Sequence, residues 1–147
     1  MAVGLLIGTQ GWAAVRTVGT TGSGATYSTI ASAISAASAG DEIQLLTDMT
    51  ENVSITKTNL TFSGDKIIYG KVSSTLSSCT ITLAGVSVIN NVAGDAFSFT
   101  TSGKSLSIIV AEQTTNVIQA PLQGCDGICK FYNNLSISGQ GSLNISG

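Results

Sequence analysis

The chain has 147 residues, enough for one domain with a sizeable core. Only 10% of the residues are charged, against 43% hydrophobic and 5% aromatic; the net charge is −2, and no basic run offers a nucleic-acid footprint. There is no histidine, which removes the commonest general base and metal ligand, and no stretch reaches the ~18 apolar residues of a membrane span.

With so few ions, the surface must be solubilised by the hydroxyls and amides of Ser, Thr and Asn. Exported proteins commonly look like this, and the expected location is extracellular or at the cell surface.

Residues 1–26 form an apolar and Gly-rich N-terminal segment, "MAVGLLIGTQGWAAV" followed by "GTTGSG" at 19–24. The run Val3 to Ile7 reads either as a strand or as a leftover signal, although a basic n-region is missing. "GTTGSG" lacks the Lys-Ser/Thr of a phosphate loop and reads as a flexible lead-in. Residues 27–147 form the main domain.

A helix is expected at about 28–39. Ile30, Ala33, Ile34 and Ala37 recur at helical spacing, Ser28 or Thr29 can cap the start, and Gly40 can take the left-handed stop. After Asp41 and Glu42 comes a strand from Ile43 to Leu46. Nearly everything beyond reads as short strands of period two. The inward pairs are Val53 and Ile55, Leu60 and Phe62, Ile81 and Leu83, Val86 and Val88, Phe97 and Phe99, Leu106 and Ile108, Leu135 and Ile137, and Leu143 and Ile145.

One pattern, apolar-x-apolar-x-Gly, occurs four times: "LTFSG" at 60–64, "ITLAG" at 81–85, "LSISG" at 135–139 and "LNISG" at 143–147. Strand starts at Leu60, Leu83, Leu106 and Leu135 are 23–29 residues apart by this reading, one coil of a parallel solenoid. The expected fold is therefore all-β: a right-handed parallel β-helix (solenoid) with one short N-terminal capping α-helix. A β-sandwich is the alternative, and the "SGQG" between the last two strands fits a hairpin or a solenoid corner.

Cys125 and Cys129 flank Asp-Gly and are candidates for a small-loop disulfide. Cys79 shares parity with Ile81 and Leu83 and reads as a buried hydrophobe. Asn52, Asn59, Asn134 and Asn144 stand in glycosylation sequons. The eight acids show no pair placed for glycoside hydrolysis, and the one arginine, Arg16, lies in the N-terminal segment. No catalytic residue, no metal site and no enzyme activity are expected.

Residues 27–64 resemble the entry to pectate-lyase-like right-handed β-helices: an Ala/Ile-rich helix, "GD-x-I", a strand, then "x-L-x-F-x-G". Residues 81–147, with "ITLAGVSVINNVAGDAFSF", "SLSIIVAEQTTNVIQ" and the closing "L-x-I-x-G-x-G-x-L-x-I-x-G", resemble a family of secreted β-helical carbohydrate-binding domains. The first resemblance implies a fold and no reaction. The second implies binding of acidic plant polysaccharide, with calcium sites in the β-helix. Calcium takes six to eight oxygens, usually several of them carboxylates. The acids of this half are Asp95, Glu112 and Asp126, so no cofactor is assigned from the residues themselves.

The closing motif is a complete strand pattern, so an end cap is expected to be absent. An open sheet edge is a template for another chain. The expected assembly interface joins Leu135, Ile137, Leu143 and Ile145 to the apolar Leu5, Leu6, Ile7 and Trp12 of the next copy. The function expected is thus that of a non-catalytic extracellular subunit, self-assembling head-to-tail into a filament or surface layer. The alternatives are a polysaccharide-binding module, with Tyr27, Tyr69 and Tyr132 as exposed aromatics, and a fragment of a longer β-helix.

Overall fold

The computed structural model describes residues 12–99, 103–130 and 134–147. The chain begins with β1 (Val15–Val18), α1 (Ile30–Ala36), β2 (Glu42–Leu45), β3 (Met49–Thr50), β4 (Val53–Ile55) and β5 (Leu60–Ser63). It goes on through β6 (Ile67–Tyr69), β7 (Val72–Ser74), β8 (Ser78–Ala84), β9 (Ser87–Ile89) and β10 (Phe97–Phe99). The last strands are β11 (Ser105–Val110), β12 (Thr115–Gln119), β13 (Ile128–Lys130), β14 (Asn134–Gly139) and β15 (Ser142–Ser146).

These strands form three sheets, ordered β1-β2-β5-β8-β11-β14, β3-β6-β9-β12-β15 and β4-β7-β10-β13. From β2 onward the chain visits the three sheets in strict rotation. Every pairing between named strands is parallel; one isolated bridge, Ser63 to Gly85, is antiparallel. Among the described residues the architecture is all-β with parallel sheets and a single short helix, compatible with a parallel β-solenoid. A sandwich would be built of antiparallel strands. "SGQG" is a corner, because β14 and β15 belong to different sheets.

Register aligns the inward residues. Leu60, Ile81, Ile108 and Ile137 follow one another across the first sheet, beside Ile43, Phe62, Leu83 and Val110. Met49, Ile68, Val88, Ile118 and Ile145 run through the second, and Val53, Val72, Phe97 and Ile128 through the third. The side chains of these columns meet in one buried cluster, with Ile128 packed against it, except Ile137 and Ile145 on the last strands, which are exposed.

The spacing differs from expectation. Val72 lies 19 residues after its partner Val53, and Ile128 lies 31 after Phe97. Corners absorb the difference, so a fixed repeat misaligns the strands: Leu60 pairs with Ile81, not Leu83. The glycine motifs diverge likewise. Gly64 and Gly85 close equivalent strands, but Gly139 pairs with Val110, two positions earlier in the strand.

The helix is shorter than expected. Thr29 is the N-cap, its hydroxyl accepting from the Ser32 N–H at 3.1 Å. The C-cap is Ala37, in extended backbone, so Gly40 (φ +95°) serves the next turn rather than the helix stop. Ile30, Ala33 and Ile34 are buried, against β1, β2 and β4. β1 draws part of the N-terminal segment into the sheet.

Candidate functional site

Two sets of edges end the sheets: β1, β3 and β4 at one end, β13, β14 and β15 at the other. Ile108 and Ile118 are fully buried, but Ile137 and Ile145, one strand further in the same columns, are 45% and 40% exposed. Leu135 and Leu143 are half-buried against the core. Residues 134–147 carry no charged side chain. The last strands are nonetheless held firmly. Buried Asn116 accepts the Gly85 N–H at 2.9 Å and donates to the Thr114 hydroxyl and the Ser142 carbonyl, stitching successive strands together.

The first end is closed by α1, whose leading N–H groups, on Ile30 and Ala31, donate to the Glu51 carboxylate. Beside it, Arg16 sits at an inward position of β1, aligned with Ile43, and pairs with Asp41 at 3.1 Å. It also donates to the Tyr27 hydroxyl. The N–H groups of Ser38 and Ala14, and then Arg16, hold the Asp41 carboxyl below its ordinary range. Trp12 is 96% exposed here; Leu5, Leu6 and Ile7 lie outside the described residues. The expected interface residues that are described thus fall at opposite ends of the sheets.

All three cysteines are free thiols, so the expected Cys125–Cys129 bridge is not formed. Cys125 packs toward the core with Ile128 and accepts the Gly94 N–H. Cys129 follows Ile128 on an extended strand and therefore points to the other side. There it lies with Asp95 and Asp126, their ligand atoms within 4.8 Å of one another. Sequence reading missed this cluster, whose members come together through the pairing of β10 with β13. Burial, then Asp95 and Asp126, push the Cys129 thiol up.

The outer face of the third sheet is polar. Ser54, Ser73, Ser98 and Cys129 stand in register. A shallow groove of about 380 Å³ runs past Asn52, Lys71 and these serines, next to one of about 460 Å³ lined by Glu51, Asn52, Tyr69 and Asn90. Tyr69 is thus placed in a groove. Tyr27 is engaged with Arg16, and Tyr132 lies outside the described residues.

Two acids support the backbone: Asp48 accepts from the Ile67 N–H and Asp95 from the Asp126 N–H. Of the sequon residues, Asn52 accepts the Lys71 N–H and Asn59 sits at a turn with φ 60°. Asn134 and Asn144 are exposed on the last two strands. Among the described residues no helix is long and apolar enough to cross a membrane. No family model, no curated protein and no solved structure matches this chain.

Proposed function

We propose that the chain is a non-catalytic structural module of the cell exterior: a right-handed parallel β-helix that associates with copies of itself through β13, β14 and β15. Right-handedness follows from parallel crossovers, which take that hand in about 98% of cases. One observation carries the functional reading. Ile137 and Ile145 are exposed on uncharged strands, while the residues before them in the same columns are buried. Long apolar edges of this kind recruit further strands. Copies joined end to end make the filament or surface layer; copies joined through like edges make a closed pair.

Light scattering across a dilution series tests the reading. The expected mass exceeds one chain and falls on dilution. The double variant Ile137→Lys with Ile145→Lys, checked for β structure by circular dichroism, is expected to be monomeric throughout. A wild-type chain that is monomeric at every concentration overturns the reading.

The second reading is binding of an acidic polysaccharide, favoured by the groove that puts Tyr69 beside Asn52 and Asn90 with Lys71 adjacent. Calcium enters only through the resemblance of residues 81–147. Retention on polygalacturonate, lost in Tyr69→Ala, supports this reading; passage of the wild type through the column, with and without calcium, contradicts it.

A further inference from the structure

On the outer face where β10 meets β13, ligand-bearing side chains converge. Phe97 pairs with Ile128, and Ser98 with Cys129. The ladder runs back into the preceding corner: the Ala96 N–H donates to the Asp126 carbonyl at 3.1 Å, and the Phe97 N–H to the Gly127 carbonyl at 2.9 Å. Asp95 is therefore the neighbour of Asp126, as Ser98 is of Cys129. Like charges set directly side by side in a sheet are destabilising. The Asp126 N–H donates to Asp95 Oδ1 at 3.0 Å and holds that carboxylate in place. One oxygen from each carboxylate and the Cys129 sulfur lie within 4.8 Å of one another.

Ser98 is a separate observation that points the same way. It is only 8% exposed, yet among the described residues its hydroxyl has no hydrogen-bond partner. A polar group so deeply placed normally has one, and an orphan calls for a water or an ion. Ser98 is the in-register neighbour of Cys129 on the same face of the sheet.

We propose that Asp95, Asp126 and Cys129 bind a divalent cation of the zinc class, with Ser98 at the open side of its shell. Carboxylate oxygen and thiolate sulfur are both zinc ligands, whereas calcium and magnesium take oxygen alone. Three protein ligands leave one tetrahedral position to water, and the Ser98 hydroxyl is free to hold it. Binding releases the thiol proton to solvent. Two carboxylates, one thiolate, the dication and the Lys71 ammonium, whose charge acts on Cys129, then sum to zero. Asp126 is exposed, and Asp95 and Cys129 are half-buried, so the ion enters directly from solvent. Bound there, it pins the corner before β13 to the start of β10. The site lies away from β14 and β15 and does not depend on association between copies.

The test is cobalt(II), a spectroscopic stand-in for zinc, titrated into the full chain after chelator treatment, with the thiols kept reduced. One equivalent is expected to bind with a thiolate-to-cobalt charge-transfer band in the near ultraviolet, which an equivalent of zinc then removes. Cys129→Ser is expected to lose the band. Asp126→Asn, at an exposed position, is expected to weaken cobalt binding by about tenfold or more. Cys125→Ser, whose thiol packs toward the core, is expected to keep both, and circular dichroism checks the β structure of every variant. No band in the wild type, a band that survives Cys129→Ser or follows Cys125 instead, or unchanged affinity in Asp126→Asn overturns the site.

Discussion

At the residue scale, three side-chain positions govern the molecule. Gly139 has φ +108°, and a Cβ there would lie 2.1 Å from the Val110 carbonyl oxygen. Gly139→Ala therefore meets both a left-handed backbone and the neighbouring strand. Asn116 is fully buried and serves three partners. Asn116→Ala strands the Gly85 N–H and is expected to cost about 1–3 kcal/mol, read as a lower urea midpoint with unchanged slope. Asp41 sets a pH dependence. Its carboxyl is held below the ordinary range by the Ser38 and Ala14 N–H groups and by Arg16. Its contribution is thus complete above the unfolded carboxylate value of about 4 and is lost as pH falls through the lower folded value. Urea midpoints of wild type and Asp41→Asn should differ at pH 6 and converge in acid; a constant gap down to pH 2 would contradict the pairing. Cys79 was legible at this scale, as a buried partner of Ile81; Asp41 read only as a residue leading into a strand, because its partner Arg16 lies 25 residues away in sequence. That Cys125 and Cys129 stay apart was not legible, because four residues of separation say nothing about which face each thiol takes.

At the element scale, legibility followed the number of inward residues. β5, β8, β11, β14 and β15 each carry two or more inward apolar positions and announce themselves by alternation. β6 and β7 hide, since Ile68 and Val72 are single inward hydrophobes and one residue makes no period. Corners of unequal length then blurred the register, which in turn concealed the Asp95, Asp126 and Cys129 cluster. The helix was legible because its small apolar face is complete. Only its end was misplaced, as Ala37 turns extended before Gly40 is reached. Thr29→Ala removes the cap on Ser32 and is expected to cost ~1 kcal/mol. Seen by the same urea series, a loss under a few tenths would mean that Glu51 alone holds the helix start.

At the scale of the whole molecule, the two ends of the sheets have opposite characters. One end is closed by α1, Glu51 and the Arg16–Asp41 pair; at the other, Leu135, Ile137, Leu143 and Ile145 continue the core to an uncharged edge. On the proposed reading, that asymmetry directs self-association to β13, β14 and β15. Amide hydrogen exchange, followed by mass spectrometry at low and high protein concentration, locates the contact directly. Peptides covering residues 134–146 are expected to gain protection as concentration rises, while those covering residues 12–40 stay unchanged. Equal exchange at both concentrations, or protection confined to residues 12–40, would contradict association through the β14 edge.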